Sequence, residues 1–205
     1  PTQIQAKLVH FLSRKAMNII AGDATVEQLY NRALVWNIAD FYELTQEHLM
    51  TLEGWKERSA ERFLKSIEES KKVPFERVLY ALGIRYVGET TAKSVARHFG
   101  NIDNISGATK ETLLGVDDVG EVIAESIVEY FQDEINKEVI NRLKAAGLKF
   151  EVEESQKAVS EILKGKIIGI SGNFSISRDE MKALIVAHGG KNSGSISGKT
   201  TYLLA

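Results

Sequence analysis

A short phrase that recurs four times along the first 125 residues constrains the fold of this chain more than any other feature. It begins at Gly22, Lys56, Gly88 and Gly120, so that successive copies are 34, 32 and 32 residues apart. A near-constant step of this length is typical of repeated supersecondary units. The spacing therefore predicts one structural unit used four times.

Each copy predicts two helices joined by a tight hairpin. In three copies an apolar residue, Trp55, Val87 or Val119, directly precedes the phrase, and an amphipathic helical stretch follows it. Glycine in such a hairpin is expected to reach positive φ and to let another backbone come close. The free N–H groups at the start of the next helix suit an anion such as a nucleic-acid phosphate. Repeats can also form an inert solenoid, so the period alone leaves the ligand open.

The helical period predicts further elements along the first 150 residues. Besides the stretch after Gly88, it predicts helices over residues 4–17, 25–30, 38–44, 46–50, 57–72, 75–82, 102–106, 109–114, 121–131 and 136–146. The last of these is expected to end at Gly147, a usual C-terminal glycine.

The pattern changes after residue 150. Residues 151–164 are polar and acidic without periodicity, which predicts a linker. Residues 166–171 indicate a buried strand, Ser177 and Glu180 form a capping box that opens a helix, and residues 200–204 indicate another strand. We therefore expect a mainly α protein, with a four-repeat helical domain at 1–150 and a partial α/β domain at 165–205.

Charge separates the repeats from one another. The net charge of −2 argues weakly against a protein that coats a polyanion through bulk positive potential. Residues 76–100 carry four basic and two acidic side chains, whereas residues 101–138 carry two basic and ten acidic ones. The four units therefore cannot be equivalent toward a polyanion.

Composition also excludes some classes of protein. The chain has no cysteine, which excludes disulfides and thiolate metal sites within it. Its apolar runs are too short for a membrane span, and its start has no signal-peptide pattern. A cytoplasmic setting fits these features best.

Two stretches closely resemble the C-terminal part of bacterial NAD-dependent DNA ligases: residues 82–92 (LGIRYVGETTA) and residues 10–19 (HFLSRKAMNI). The resemblance covers essentially the whole chain. Residues 1 to about 150 look like the helix-hairpin-helix domain of that family, with four hairpins. From Gly165 onward the chain looks like the start of its BRCT domain. The module's order is matched by Gly165-Lys166, Ser171-Gly172, Arg178, Gly189-Gly190-Lys191 and Lys199-Thr200.

The resemblance implies a parent enzyme that seals nicks in duplex DNA during replication and repair with NAD, Mg²⁺ and Zn²⁺. None of these cofactors is expected to bind this chain. The family's Lys-x-Asp-Gly adenylation motif does not occur here, so catalytic domains are expected upstream and the fragment alone is expected to be inactive. The family's four-cysteine zinc module is expected before Pro1, and the chain is expected to stop midway through the BRCT domain.

Two hairpins depart from the family pattern. The first is one residue shorter and keeps a single glycine, Gly22, which leaves its phosphate contact open. The second has Lys56 in place of the later glycine. A lysine there either keeps a helical φ and adds a charge or marks a purely structural hairpin.

The third hairpin is predicted to be the main contact with duplex DNA, and a nicked duplex is the expected partner. Backbone N–H groups of Val87, Gly88 and Thr90 would hold a phosphate, and charged or hydroxyl side chains would add attraction. The residues assigned to this contact are Arg85, Val87, Gly88, Thr90, Thr91, Lys93 and Arg97. The alternative for Arg85 is an ion pair with a neighbouring acid such as Glu89. Contacts to the backbone imply little sequence preference.

The second hairpin is predicted to hold the opposite strand through Gly54, Lys56 and Arg58, because paired hairpins can straddle a minor groove. Trp55 is expected to be a core residue and not a wedge between bases.

The fourth hairpin is expected mainly to complete the fold. The N–H group of Gly120 would suit a phosphate, but Asp117, Asp118 and Glu121 beside it would repel one.

Two other functions stay open at this level. One is a helical scaffold in which BRCT contacts with other proteins dominate, and the other is a helix-hairpin-helix accessory module of a repair nuclease. A clear protein partner without DNA affinity would favour the scaffold.

Overall fold

The computed structural model describes residues 2–153 and 159–205. The chain divides into two units, Pro1–Val152 and Glu153–Ala205. The predicted linker at 151–164 includes residues 154–158, which lie outside the described residues.

The described part of the first unit is almost entirely helical, which confirms the predicted class. Its helices are α1 (Thr2–Leu12), α2 (Asp23–Asn31), a 3₁₀-helix (Ile38–Glu43), α3 (Gln46–Met50), α4 (Glu57–Ser70), α5 (Phe75–Ala81), α6 (Glu89–Phe99), α7 (Ile102–Ser106), α8 (Lys110–Leu114), α9 (Glu121–Gln132) and α10 (Glu134–Ala146). As predicted, α10 ends before Gly147, which has a left-handed φ of 98°.

One hydrophobic core runs through the first unit, from the first helix to the residues after α10. Trp55 of the second hairpin is partly buried and packs edge-on against Phe63 of α4, with ring centroids 5.5 Å apart, so it lies against the core, as its predicted structural role requires. Phe75 of α5 lies 6.4 Å from Phe150, which ties the end of the unit to its middle.

Backbone pairing closes the first unit. The N–H of Ile102 donates to the carbonyl of Phe150 at 2.9 Å, and the N–H of Val152 donates to Gly100 at 2.8 Å. The segment after α10 therefore lies against the start of α7 and fixes the end of the helical domain.

The second unit contains a small parallel sheet and one helix: β1 (Ile167–Ile170), α11 (Arg178–Ala187), β2 (Lys191–Ser193) and β3 (Tyr202–Leu204). The strand order is β2-β1-β3. The predicted capping box is present, since the N–H of Glu180 donates to Ser177 Oγ at 3.2 Å and the Glu180 carboxylate accepts the N–H of Ser177 at 2.8 Å.

Three features differ from the sequence-based expectation. Strand β2 was not predicted, because its residues are polar and mostly exposed. Helix α1 ends at Leu12 and not near Met17, because the chain turns back and the N–H of Ile19 donates to the carbonyl of Leu12. Residues 160–164, predicted as part of the linker, pack with the second unit, where the N–H of Leu163 donates to the backbone carbonyl of His188 at 2.9 Å.

Candidate nucleic-acid interface

The second, third and fourth hairpins are built on the same turn. In each, the apolar residue before the phrase donates its N–H to the carbonyl three residues earlier. The distances are 3.3 Å from Trp55 to Leu52, 3.0 Å from Val87 to Ile84 and 3.2 Å from Val119 to Val116.

Positive φ occurs one residue before each of these donors, at Gly54 (79°), Tyr86 (67°) and Asp118 (67°). Gly88 and Gly120 have φ of −84° and −92°. The positive φ expected of hairpin glycines is therefore found at Gly54 but not at these two positions.

Two predicted contacts of the third hairpin need correction. The Val87 N–H, expected to hold a phosphate, is already bonded to Ile84 and serves the turn. Thr91 is only 8% exposed, so its hydroxyl lies within the fold, whereas Thr90 is exposed at the surface. Of the two hydroxyls considered, Thr90 is the one that a ligand can reach.

The helices that follow the hairpins start without a side-chain cap. Their N-cap residues are Gly22, Lys56, Gly88 and Gly120. By contrast, α3, α7, α8 and α10 are capped by the side chains of Thr45, Asn101, Thr109 and Asp133. Among the described residues, the N–H groups of Gly88 and of residues 89–91 have no hydrogen-bond partner. The start of α6 is thus open to an anion.

The chain itself does not require glycine at these N-caps. A Cβ added at Gly22, Gly88 or Gly120 would meet no atom within 4 Å. Lys56 adopts the same extended conformation, with φ −134° and ψ 174°, so neither conformation nor crowding selects glycine.

Each of the two roles predicted for Lys56 agrees with the structure only in part. Its φ of −134° is not helical. Its N–H donates to Ser59 Oγ at 2.9 Å, so this amide is used within the fold, while its side chain stays exposed. Lys56 and the neighbouring Arg58 can therefore offer charge to a ligand, but the Lys56 amide is occupied.

The third and fourth hairpins brace each other. Ser94 of α6 donates its hydroxyl to the Asp118 carboxylate at 3.2 Å, and Ser126 of α9 donates to the carbonyl of Arg85 at 2.6 Å. Both serines stand six residues after the start of their phrase. Each helix thus holds the hairpin of the other repeat.

The first and second hairpins form a similar pair. Gln28 of α2 accepts the N–H of Glu53 at 2.8 Å, and Ser66 of α4 accepts the N–H of Ile20 at 3.2 Å. Gln28 occupies the place in its repeat that Ser94 and Ser126 occupy in theirs. The four hairpins are therefore two braced pairs.

Arg85 does not form the predicted alternative ion pair with Glu89. Its guanidinium lies over the Tyr86 ring, 4.9 Å from the centroid, and Glu89 pairs with Lys15 at 3.3 Å. Lys93 is exposed and shares the face of Glu89 one turn along α6, and Arg97 lies in the last turn of that helix.

Sequence reasoning missed Arg14 and Lys15 as candidate contacts. Arg77 donates to the carbonyls of both, at 2.8 Å and 3.3 Å, and so fixes their loop beside the start of α6. A signal was available, because residues 1–22 contain no acidic side chain.

The first hairpin can contact a ligand through its side chains more than through its turn amides. A groove of about 530 Å³ lies along it, lined by Arg14 among others. Its turn amides are bonded within the fold: Met17 to Phe11 O, Asn18 to Ser13 O, Ile19 to Leu12 O, Ile20 to Ser66 Oγ and Ala21 to Ile19 O.

The fourth hairpin carries acidic side chains around an open helix start. Asp118 and Glu121 flank Gly120, and Lys110 is paired with Glu125 at 2.7 Å. The hydrogen bond to Glu125 raises the pKa of Lys110. That cation therefore neutralises a carboxylate of the fold.

The described residues, 2–153 and 159–205, contain no cluster of three or more histidine, aspartate or glutamate side chains that could hold a metal ion. In the same residues no helix is long and apolar enough to cross a lipid bilayer.

Each of the two units contains residues that match a known protein family. Residues 77–140, which include the third and fourth hairpins, match the helix-hairpin-helix motif. Residues 158–205 match the BRCA1 C Terminus (BRCT) domain.

The whole chain is similar to several proteins named DNA ligase. It is 55% identical to the one from Parabacteroides distasonis, 50% to that of Phocaeicola vulgatus and 45% to that of Porphyromonas gingivalis. In each case 100% of this chain is covered, and it spans 31% of the relative. The chain therefore carries a helix-hairpin-helix motif and a BRCT domain, and it is related over its whole length to a segment of the DNA ligases.

Proposed function

We propose that this chain is the DNA-binding portion of an NAD-dependent DNA ligase that seals nicks in duplex DNA during replication and repair. The helical unit clamps the duplex through its phosphates, without sequence specificity. Adenylation and bond formation belong to catalytic domains elsewhere in the same cytoplasmic protein. The name of the relatives supports the ligase parentage, and the resemblance of residues 82–92 supports the dependence on NAD.

The observation that carries this proposal is the open start of α6. Four consecutive N–H groups, from Gly88 to residue 91, have no partner among the described residues, and the chain has no steric or conformational need for glycine there. Arg85 stands three residues before Gly88 with its guanidinium over the Tyr86 ring, and the exposed Lys15 lies at the start of α6, where it pairs with Glu89 at 3.3 Å. Unpaired amides with adjacent cations suit a phosphate oxygen, and the bare glycine lets the phosphate approach.

The second hairpin supplies the other side of the clamp. Lys56 and Arg58 are exposed at the start of α4 and are not ion-paired within the described residues. A B-DNA minor groove is only about 6 Å wide, so two hairpins beside it can reach the phosphates of both strands. Glu53, braced by Gln28, fixes the position of this hairpin.

Cofactors are assigned to the rest of the enzyme. The described residues bring no metal-binding cluster together, and the sequence has neither cysteine nor the Lys-x-Asp-Gly motif. We therefore propose that NAD, Mg²⁺ and Zn²⁺ bind elsewhere in the enzyme, and no catalytic step is assigned to this chain.

The proposal is tested by fluorescence anisotropy of a labelled nicked duplex titrated with the 205-residue chain. The logarithm of the affinity should fall linearly with the logarithm of the salt concentration. Arg85→Ala should weaken binding and lower the magnitude of that slope by about 1, as expected for one lost phosphate contact.

Lys72→Ala is the matched control. Lys72 is also an exposed cation, paired with Glu69 at 3.2 Å, and it follows the C-terminal end of α4, about 20 Å from the second hairpin at the other end of that helix. Its replacement should leave affinity unchanged. Binding that ignores salt, or an Arg85→Ala protein that binds like wild type, would contradict the clamp. Two duplexes of unrelated sequence should bind equally.

A further inference from the structure

Tyr86 occupies a position that a large side chain rarely takes. Its φ is 67°, in the left-handed region, and it is 55% exposed at the tip of the third hairpin. For a residue with a Cβ this conformation costs roughly 1–2 kcal/mol relative to a right-handed one. Bulky residues therefore need a compensating interaction to remain there.

The equivalent residues of the other two hairpins have such an explanation. Gly54 has no Cβ and adopts the conformation without strain. Asp118 has an acidic side chain, of a type that tolerates this region, and it accepts a hydrogen bond from Ser94.

Tyr86 has no comparable interaction within the described residues that would offset its strained φ. The guanidinium of Arg85 lies over the Tyr86 ring, 4.9 Å from its centroid. The Arg85 carbonyl is in turn held by Ser126. The ring thus carries a cation over one side, on a hairpin whose backbone is held by Ser126, while more than half of the residue faces solvent.

The position of the ring limits what it can contact. Tyr86 stands two residues before Gly88, so the two Cα atoms are at most about 7 Å apart. Beside a phosphate held by the Gly88 amide, the apolar surface within reach is the face of a deoxyribose. In duplex DNA these sugars line the minor groove.

Building on the proposed function, we propose that the Tyr86 ring packs against deoxyribose along the minor groove and makes the third hairpin prefer DNA over RNA duplexes. In RNA the wide, shallow minor groove displays polar 2′-hydroxyls, which offer this ring a poorer surface. Gly54 and Asp118 have no apolar side chain, so of the three hairpins with this turn the third alone makes the contact.

The test compares Tyr86→Gly with the wild-type chain on a DNA duplex and an RNA duplex of the same sequence, over a range of salt concentrations. Loss of the ring should weaken DNA binding roughly five-fold, as expected from a few tens of Å² of lost apolar contact. RNA binding should change by less than about two-fold. The salt slope should stay the same, because no charge is lost.

Two control variants make the outcome decisive. Tyr86→Phe keeps the ring and should bind DNA like wild type. Ala33→Gly relieves a left-handed residue outside the hairpins, with φ 56°, and should change stability without changing affinity.

Equal DNA affinity of Tyr86→Gly and wild type would overturn the inference, as would an equal loss on RNA. A loss in Tyr86→Phe as large as in Tyr86→Gly would also overturn it, because the hydroxyl would then make the contact. Failure of the proposed function gives a different result, namely no salt-dependent binding of any variant.

Discussion

Nothing in the fold of this chain requires glycine at residues 88 and 120. Both have extended backbone that any residue can adopt, and a Cβ would point into open space. The strained positions of the hairpins are instead Tyr86 and Asp118, neither of which is glycine. A glycine that folding does not need leaves room for a ligand to approach from outside, and at Gly88 it does so beside four unpaired N–H groups.

Replacement of Gly88 by serine should therefore separate folding from binding. Serine is at least as good an N-cap as glycine, so the free energy of unfolding should stay the same or rise by a few tenths of a kcal/mol. Duplex affinity should fall roughly ten-fold, because the new side chain occupies the approach and bonds an N–H that the phosphate would use. Urea unfolding and anisotropy measure the two effects.

Gly22→Ser is the control for this prediction. Gly22 is also an uncapped N-cap with open space around it. Its helix, however, starts with Asp23, which has no ion pair among the described residues, whereas Glu89 at the start of α6 is paired with Lys15. The N–H of Thr25 is also bonded to the Gly22 carbonyl, so α2 starts with fewer unpaired N–H groups than α6. Replacement of Gly22 should alter affinity by less than about two-fold. If Gly88→Ser and Gly22→Ser weaken binding equally, the open start of α6 is not the main contact.

At the scale of elements, the hairpins act in pairs, and this pairing was not visible in the sequence. Helix starts such as the capping box at Ser177 and the stop at Gly147 could be predicted, because each depends on residues within one turn. The bond from Ser126 to Arg85 spans 41 residues and follows no local pattern. Strand β2 was missed because its pairing with β1, not its polar sequence, makes it a strand.

The same distinction explains which site residues could be predicted. Gly88, Arg85 and Lys93 stand out by spacing and charge within one repeat. The use of the Val87 amide within the turn, and the position of Lys15 beside Glu89, depend on how the chain folds back. Features within one repeat could therefore be predicted from the sequence, whereas the contacts that assemble the interface could not.

Removal of the Ser126 hydroxyl should loosen the third hairpin. Ser126→Ala deletes the 2.6 Å bond to the Arg85 carbonyl, which should cost about 0.5–1 kcal/mol of local stability. The Val87 amide, bonded to Ile84 in the same turn, should then exchange with solvent roughly two- to five-fold faster. Hydrogen exchange followed by NMR measures this rate.

Ser106→Ala serves as the control, because Ser106 is exposed at the end of α7 and has no hydrogen bond through its hydroxyl among the described residues. It should leave the exchange of Val87 unchanged. Unchanged exchange in Ser126→Ala as well would show that the brace does not hold the hairpin.

At the scale of the whole molecule, ion pairs join the first and second halves of the helical unit. Arg142 of α10 donates to Asp40 and Glu43 of the 3₁₀-helix, both at 2.7 Å, across about half the length of the chain. Asp40 also accepts the N–H groups of Trp36 and Asn37, at 2.8 Å and 3.0 Å. This group joins the first hairpin pair to the helix that follows the second pair.

The ionisation of Asp40 makes this connection dependent on pH. Burial opposes the charge on Asp40, but the N–H of Trp36 and the guanidinium of Arg142 outweigh it and lower the pKa of the carboxyl from its ordinary 3.8. Because the pKa is lower in the folded state, the carboxylate stabilises the fold above about pH 3.8, and this contribution is lost as the pH falls through the folded value.

Asp40→Asn should therefore lower the free energy of unfolding by about 1–2 kcal/mol at pH 7, where a charge-assisted hydrogen bond is lost. Its difference from wild type should shrink as the pH is lowered toward 3, since the wild-type carboxyl then takes up a proton as well. Urea unfolding between pH 7 and pH 3 measures this convergence. Glu134→Gln, which breaks an exposed pair with Lys137, should change stability by less than about 0.5 kcal/mol at every pH. A constant difference between Asp40→Asn and wild type across this range would mean that packing, and not the charge of Asp40, joins the 3₁₀-helix to α10.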